Sequence, residues 1–242
     1  MTLEVRLFPC LSDNYGLLVR DAESGSVATI DTPDAAAILA ALEQSGWGRL
    51  DLILNTHWHP DHTQGNAALK AATGCEIGGP DAVRRAAPID RVVAGGDTVR
   101  LGQTMLEVTD APGHTLGHIV YRSPTDSQAF VGDVLFTLGC GRLFEGTPVQ
   151  MWNSLQTLAA WPDETVVWCA HEYTAANARF ALTRDERPAM AERAAEIFAR
   201  CERGEPTVPT TIGAEKAFNP FLRAADADAF AAVRSAKDSF SG

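Results

Sequence analysis

His57, His59 and His62, with Asp61 among them, lie within six positions, directly after the apolar run Leu50-Asp51-Leu52-Ile53-Leu54. So dense a group of imidazoles and a carboxylate is costly to bury unless a cation joins it. Imidazole suits zinc, iron and related first-row ions, while a carboxylate adds charge and can bridge two of them. The chain has 6 histidines in 242 residues, and half of them are here. Other candidates recur in the same kind of place. His114 follows a strand-like segment at 105–109, Asp133 follows Ala129-Phe130-Val131, and His171 follows Val166-Val167-Trp168-Cys169. Strand ends converging on one sheet edge would gather them all. Seven candidate ligands exceed one tetrahedral ion and suit two. The i, i+2 spacing lets His57 and His59 point at one ion from an irregular loop. Asp61 and His62, further round the turn, can face a second, and Asp133 with its two oxygens is the natural bridge.

The elements that must position these groups show in the pattern. Leu3-Glu4-Val5-Arg6-Leu7 alternates as a half-buried strand does. A turn at Ser12-Asp13-Asn14 leads into a second strand at 15–19, and a third at 27–30 ends at Asp31. Asp31 is thereby placed to orient a ligand histidine. Pro33 opens a helix with Ile38, Leu39 and Leu42 on one face, and Gly46 stops it. Residues 52–54 are a buried strand delivering the histidine loop, and 66–73 a helix closed by Gly74. Residues 77–88 hold a short strand and a short helix. Further strands are read at 92–93, 98–101, 105–109, 119–121, 129–131 and 166–169, with a helix over 151–161. Beyond His171 the alternation disappears, and helices are expected at 175–182, 188–203 and 226–239, with a Pro/Thr-rich connection at 205–211. A boundary therefore falls near residue 172, giving an α/β domain over 1–172 and a helical domain over 173–242.

Four stretches resemble the pattern of the metallo-β-lactamase superfamily: Thr56-His57-Trp58-His59-Pro60-Asp61-His62, Pro112-Gly113-His114-Thr115-Leu116-Gly117-His118, Gly132-Asp133 and Ala170-His171-Glu172-Tyr173. Others narrow the resemblance to glyoxalase II, the hydroxyacylglutathione hydrolases. These are Ser12-Asp13-Asn14-Tyr15, Gly139-Cys140-Gly141-Arg142-Leu143-Phe144-Glu145-Gly146, Asn219-Pro220-Phe221-Leu222-Arg223, and Arg234 with Lys237-Asp238 and Phe240. The resemblance implies an α/β fold, an αββα metallo-β-lactamase-like sandwich followed by a small all-helical, glutathione-binding domain. It assigns one divalent ion to His57, His59 and His114 and a second to Asp61, His62 and His171, with Asp133 bridging; His118 is not a ligand and is expected to pack. Zinc heads the choice of metal, and the mixed N/O donors also admit iron or manganese.

The implied reaction is hydrolysis of S-(2-hydroxyacyl)glutathione, such as S-D-lactoylglutathione, to glutathione and D-lactate, the second step of methylglyoxal detoxification. Two cations sharing a water would supply hydroxide near neutral pH, and Asp61 and Asp133 would carry the catalytic roles. Arg234 and Lys237, three apart in a helix, face the same way and would hold the carboxylates of the anionic substrate. Arg142, Phe144 and Tyr173 complete the expected contacts. Phe144 stands where relatives carry Tyr, so a hydroxyl contact is missing. Asn219-Pro220-Phe221 is read as a rigid docking of the helical part.

Bulk properties bound these expectations. A net charge of −11 argues against nucleic acid as a partner and makes a local basic pair the more telling. No apolar run approaches a membrane span, and no export-signal pattern precedes the first strand. Scattered cysteines, 5 in all, suit reduced thiols. A cytoplasmic monomer acting on a small molecule is expected. A β-lactam hydrolase would be expected to carry an export signal and has no use for a basic C-terminal helix. A persulfide dioxygenase holds one iron with two histidines and an aspartate, so the full second-ion set favours hydrolysis. A metal serving folding alone would sit in a closed Cys/His tetrahedron.

Overall fold

The computed structural model describes residues 3–242, which divide into two compact units. The first runs to Asp110 and resumes over Gly117–Gly132; the second comprises Ala111–Leu116 and Asp133–Gly242. Among the described residues no helix is long and apolar enough to cross a membrane.

In the first unit β1 (Leu3–Cys10), β2 (Asn14–Asp21), β3 (Val27–Ile30), β4 (Leu52–Leu54), β5 (Glu76–Gly79) and β6 (Arg91–Val92) form one sheet in that order. The first three pair antiparallel and β3 to β6 pair parallel. Parallel strands are covered on both faces, which is why β3 and β4 are short apolar runs without alternation. Helix α1 (Ala35–Ser45) begins two residues later than Pro33 implies, because the Asp34 carboxylate caps it by accepting from the amides of Ala36 and Ala37. Gly46, at φ 70°, ends it. A four-residue helical turn, α2 (Pro60–Thr63), replaces the irregular loop expected there, with Pro60 supplying a preset first position. Helix α3 (Asn66–Thr73) follows. Ile38 and Leu42 of α1 join Leu18, Val27, Ile53, Leu69 and Ile77 in one buried cluster, so the parallel strands are fixed from the helix side. The unit also holds β7 (Thr98–Leu101), β8 (Thr104–Asp110), β9 (Ile119–Ser123) and β10 (Gln128–Gly132), antiparallel in the order β10-β9-β8-β7.

The second unit opens with a small hairpin that the sequence does not announce, β11 (Leu135–Phe136) and β12 (Gly139–Cys140). Helix α4 (Pro148–Ala159) starts three residues before the expected 151, set by a capping box between Thr147 and Gln150. β13 (Val166–Cys169) pairs antiparallel with β14 (Thr210–Thr211), and α5 (Thr174–Leu182) and α6 (Pro188–Glu202) lie between them in the chain. A short helix absent from the sequence reading, α7 (Ile212–Phe218), precedes α8 (Ala227–Asp238), which Asp226 caps. Leu138, Ala178, Ala181, Met190, Ala194 and Ile197 form the buried cluster that joins the hairpin turn to α5 and α6.

Candidate metal centre

In the first unit, β3 and β4 end side by side and release Asp31 and Asn55-Thr56-His57 from their C-terminal ends. Asp31 adopts φ 56°, a left-handed conformation uncommon outside glycine. Its carboxylate accepts from the Thr56 amide at 2.7 Å, the Thr56 hydroxyl at 2.8 Å and His62 Nδ1 at 2.9 Å. Those bonds fix two tautomers. The single hydroxyl proton of Thr56 goes to Asp31, so Thr56 accepts at His57 Nδ1, 3.1 Å away. His57 and His62 therefore both carry their proton on Nδ1 and present Nε2 as a lone pair, the arrangement that outer hydrogen bonds impose on metal-binding imidazoles.

The remaining first-unit donors face those lone pairs. His57 Nε2 lies 3.0 Å from His59 Nδ1, and His62 Nε2 lies 3.4 Å from Asp61 Oδ2. Asn14, the first residue of β2, donates to Asp61 Oδ2 at 3.1 Å and so holds that carboxylate in place. Asn55 Nδ2 donates to the His62 carbonyl at 2.8 Å, and Asn66 Nδ2 donates to Asn55 Oδ1 at 2.7 Å, which pins α2 to the strand end. His118 is buried and stacks on His57 with ring centroids 4.7 Å apart.

In the second unit, His114, Asp133 and His171 are all buried. Asp133 sets one oxygen before each histidine: Oδ2 lies 3.3 Å from His114 Nε2 and Oδ1 lies 3.4 Å from His171 Nε2. His114 Nδ1 donates to the Arg142 carbonyl at 2.8 Å, so its Nε2 is again the lone pair. Gly141 allows this close approach, since a Cβ there would overlap the Asp133 carbonyl oxygen. His171 stacks face to face with Tyr173, centroids 4.7 Å apart.

These separations test the fit of a metal. Four ligands at zinc's ~2.0–2.1 Å and tetrahedral angles stand about 3.3–3.4 Å from one another. The donor pairs at 3.4, 3.3 and 3.4 Å match that edge, and the His57–His59 pair at 3.0 Å is somewhat shorter. The donor set, neutral imidazole with carboxylate, suits first-row divalent ions. The residues present fit metal binding.

The expected substrate contacts are all in the second unit. The Arg142 side chain is 67% exposed and lies 3.7 Å from Asp238, and Phe144, 65% exposed, meets His114 edge-on. Arg234 and Lys237 do not share one environment. Arg234 is buried, donating to the Cys140 carbonyl at 2.9 Å and to Asp238 at 2.8 Å. Lys237 is half-buried and donates to the Ala176 carbonyl at 2.8 Å. Burial, and then Arg234, Arg179 and Arg142, push the Lys237 ammonium down from 10.5 to about 8. Four cations thus crowd one region of a chain whose net charge is −11. Sequence reading left out Asn14, Thr56, Asn55 and Asn66 as positioners. For Asn14 a signal existed in the Ser12-Asp13-Asn14-Tyr15 stretch and for Thr56 in the stretch at 56–62; Asn55 and Asn66 lie in no such stretch.

Comparison with known proteins gives a family model described as Metallo-beta-lactamase superfamily, matching residues 28–171, and one described as Hydroxyacylglutathione hydrolase C-terminus, matching residues 172–240. The hydroxyacylglutathione hydrolase of Maricaulis maris (strain MCS10) is 52% identical, covering 98% of this chain and 99% of its own. That of Erythrobacter litoralis (strain HTCC2594) is 50% identical over 98% of this chain and 100% of its own. Among solved structures, ETHE1 from Myxococcus xanthus superposes with a TM-score of 0.73 at 26% identity, covering 96% of this chain and 90% of that one.

Proposed function

The chain belongs to the metallo-β-lactamase superfamily and, within it, to the hydroxyacylglutathione hydrolases, and from that premise we propose how its residues divide the cleavage of a glutathione thioester. It is a hydrolase with a metal centre. The ligand sets proposed are His57, His59 and His114 for one ion and Asp61, His62 and His171 for the other, with Asp133 shared. Zinc is the proposed metal. The observation that carries the reading is the Asp133 carboxylate, whose two oxygens lie 3.3 and 3.4 Å from the Nε2 atoms of two buried histidines, so that it could be shared between the two ligand sets.

When bound, such a pair of cations lowers the pKa of a shared water and polarises the thioester carbonyl. The rest falls to the chain. Asp61 Oδ2, steadied by Asn14, orients the attacking water and takes up its proton. Water adds at the carbonyl carbon, the C–S bond breaks, the sulfur takes the proton held on Asp61 and leaves as the thiol of glutathione, and the acyl group departs as a carboxylate with the second water proton released to solvent. Tyr173, stacked on His171, and Phe144, against His114, flank the reacting end. Arg142, Arg234 and Lys237 draw the substrate's carboxylates into a local positive field that the chain's net charge elsewhere opposes. On this reading residues 173–242, which carry Arg234 and Lys237, are the substrate-binding domain and 1–172, which also lends Arg142, is the catalytic one. The proposed substrate is S-D-lactoylglutathione, giving glutathione and D-lactate, and the proposed setting is methylglyoxal detoxification by a cytoplasmic monomer. The cysteines, all free thiols, suit a reducing compartment.

Steady-state hydrolysis of S-lactoylglutathione, with metal content determined on the same sample, tests the reading. Two divalent ions per chain and turnover that vanishes on chelation are expected. A metal-replete protein that leaves glutathione thioesters intact, or one that consumes oxygen with glutathione persulfide, would retire it.

A further inference from the structure

The β11–β12 hairpin turns through Thr137-Leu138, and Leu138 has φ 57°. A two-residue turn that needs a left-handed second position favours Gly or Asn there. A leucine in this conformation persists only where its surroundings over-determine it, and such strain gathers at functional sites. The surroundings here are specific. The fully buried Glu215 of α7 accepts from the Leu138 amide at 2.8 Å, from Thr210 Oγ1 at 2.6 Å and from Asn219 Nδ2 at 2.8 Å. Asn219 Nδ2 also lies 3.2 and 3.0 Å from the carbonyls of Phe136 and Gly139, and Asn177 of α5 donates to the Thr137 carbonyl at 3.1 Å. Burial pushes the Glu215 carboxyl above the usual range, so an acceptor is kept here against an electrostatic penalty.

The hairpin runs directly into the ligand-orienting segment. Cys140 gives its carbonyl to Arg234, Gly141 closes on Asp133, and Arg142 gives its carbonyl to His114 Nδ1. We propose that Glu215 is a positioning residue for His114 and Arg142: it holds the strained Leu138 turn, and thereby sets the backbone that orients a metal ligand and presents a substrate-binding cation. The proposal rests on the functional reading above for the roles of His114 and Arg142. What the side chain must supply is an acceptor at the Leu138 amide, and charge is not required. A glutamine meets that need by turning its oxygen to Leu138 and Asn219 and its amide to the Thr210 hydroxyl.

Three variants decide it, each loaded with zinc alone, freed of unfolded chain by gel filtration and assayed well below its melting temperature. Glu215→Leu should release zinc to a chromophoric chelator about tenfold faster than wild type, the scale of losing an outer-shell support, with KM raised more than kcat is lowered. Glu215→Gln should stay within about twofold of wild type on the same scale. Glu215→Leu with Leu138→Gly removes the strain the carboxylate restrains, and should recover zinc retention even though a buried leucine is lost and the melting temperature falls further. Native zinc release and KM in Glu215→Leu would overturn the proposal, as would a double variant no better than the single one. If Glu215→Leu does not fold, recovery of a folded, zinc-retaining double variant supports the clamp, and its failure ends it. Wild-type protein inactive on thioesters would remove the functional reading, while the zinc-release comparison would still decide the clamp.

Discussion

Lys237 makes a prediction that separates binding from chemistry. Its ammonium, half-buried on α8 and facing the fields of Arg234, Arg179 and Arg142, loses its proton at about 8 instead of 10.5. Raising the pH from 7 to 9.5 therefore takes the charged fraction from about 90% to about 3%, where an ordinary lysine would still be about 90% charged. If the ammonium holds a substrate carboxylate, titration alone lowers kcat/KM about thirtyfold across that interval. A charge-assisted hydrogen bond is worth roughly 1.5–3 kcal/mol, or about 10–150-fold in affinity. The smaller limit governs, so the expected fall is about tenfold to thirtyfold, carried by KM. The assay is thioester loss followed by absorbance, corrected for alkaline hydrolysis, at constant ionic strength because screening would blur the effect. Lys237→Arg keeps the charge throughout and should remove the alkaline fall in kcat/KM. A wild-type KM that stays level to pH 9.5, or an arginine variant with the same decline, would refute the role. Stability moves the opposite way: the folded pKa lies below the unfolded one, the unfolded chain binds more protons between 8 and 10.5, and stability should rise with pH across that window.

Asp133→Ala should abolish turnover and lower metal content, since neither His114 nor His171 retains its carboxylate partner; full activity with normal metal stoichiometry would end the bridging assignment. Asp31→Asn keeps a side chain tolerant of left-handed backbone but withdraws acceptors from Thr56 and His62. Its expected cost is on the order of 3 kcal/mol, about 6–12 °C in melting temperature. Chelator competition should also find metal affinity reduced about 10–100-fold, and an unchanged affinity would return Asp31 to a purely structural role. Phe144→Tyr, at a position too exposed to disturb the core, should lower KM about twofold to tenfold by one hydrogen bond while kcat holds. A KM that stays put or rises would show that the missing hydroxyl is immaterial.

Much of this arrangement was legible because the chain punctuates it. Residues 52–54 and 166–169 are short apolar runs ending at charged or imidazole groups, and both are strands with the bounds expected. Gly74 ends its helix as expected, in the left-handed conformation that favours glycine. The β11–β12 hairpin escaped for the converse reason: two-residue strands have no period to detect, and Leu138 occupies a turn position where glycine would have been the signal. Helix α7 opens with Ile212-Gly213, a poor helix start whose cap, Thr211, is also the end of a strand. The candidate ligand histidines stood out by their spacing, and Asp31 stood out as an orienting partner at its strand end, but Asn14, Asn55 and Asn66 did not. Asn14 and Asp61 are 47 residues apart, a distance over which no local pattern speaks, and for Asp31 the sequence left open which histidine it meets, His62 being 31 residues on. Arg234 misled more instructively. Three residues from Lys237 it was expected to face the same way, yet with Phe230 one turn before it Arg234 lies on the buried face of α8, its guanidinium over the Phe221 ring.

The non-glycine residues with positive φ connect backbone strain to ligand geometry. Asp31, at 56°, accepts from His62 Nδ1, and Leu138, at 57°, tips the hairpin whose continuation accepts from His114 Nδ1. Leu11, at 48°, turns the chain towards Asn14, which bonds Asp61. Ser127, at 53°, lies in the β9–β10 turn with its amide on the Pro124 carbonyl, so strain also occurs away from these groups. At the first three positions a strained residue lies on the segment that aims a proposed metal donor. Left-handed backbone at a non-glycine residue costs on the order of 1–2 kcal/mol, so relaxation is opposed by the hydrogen bonds that aim the donors. A proposed donor set held this way keeps separations of 3.0–3.4 Å, close to a tetrahedral edge, so the ordering entropy would be met on folding instead of on metal capture. Glycine at 138 would relax the turn and return part of that ordering to the binding step, and that is why replacing Leu138 and Glu215 together distinguishes a positioning clamp from ordinary core packing.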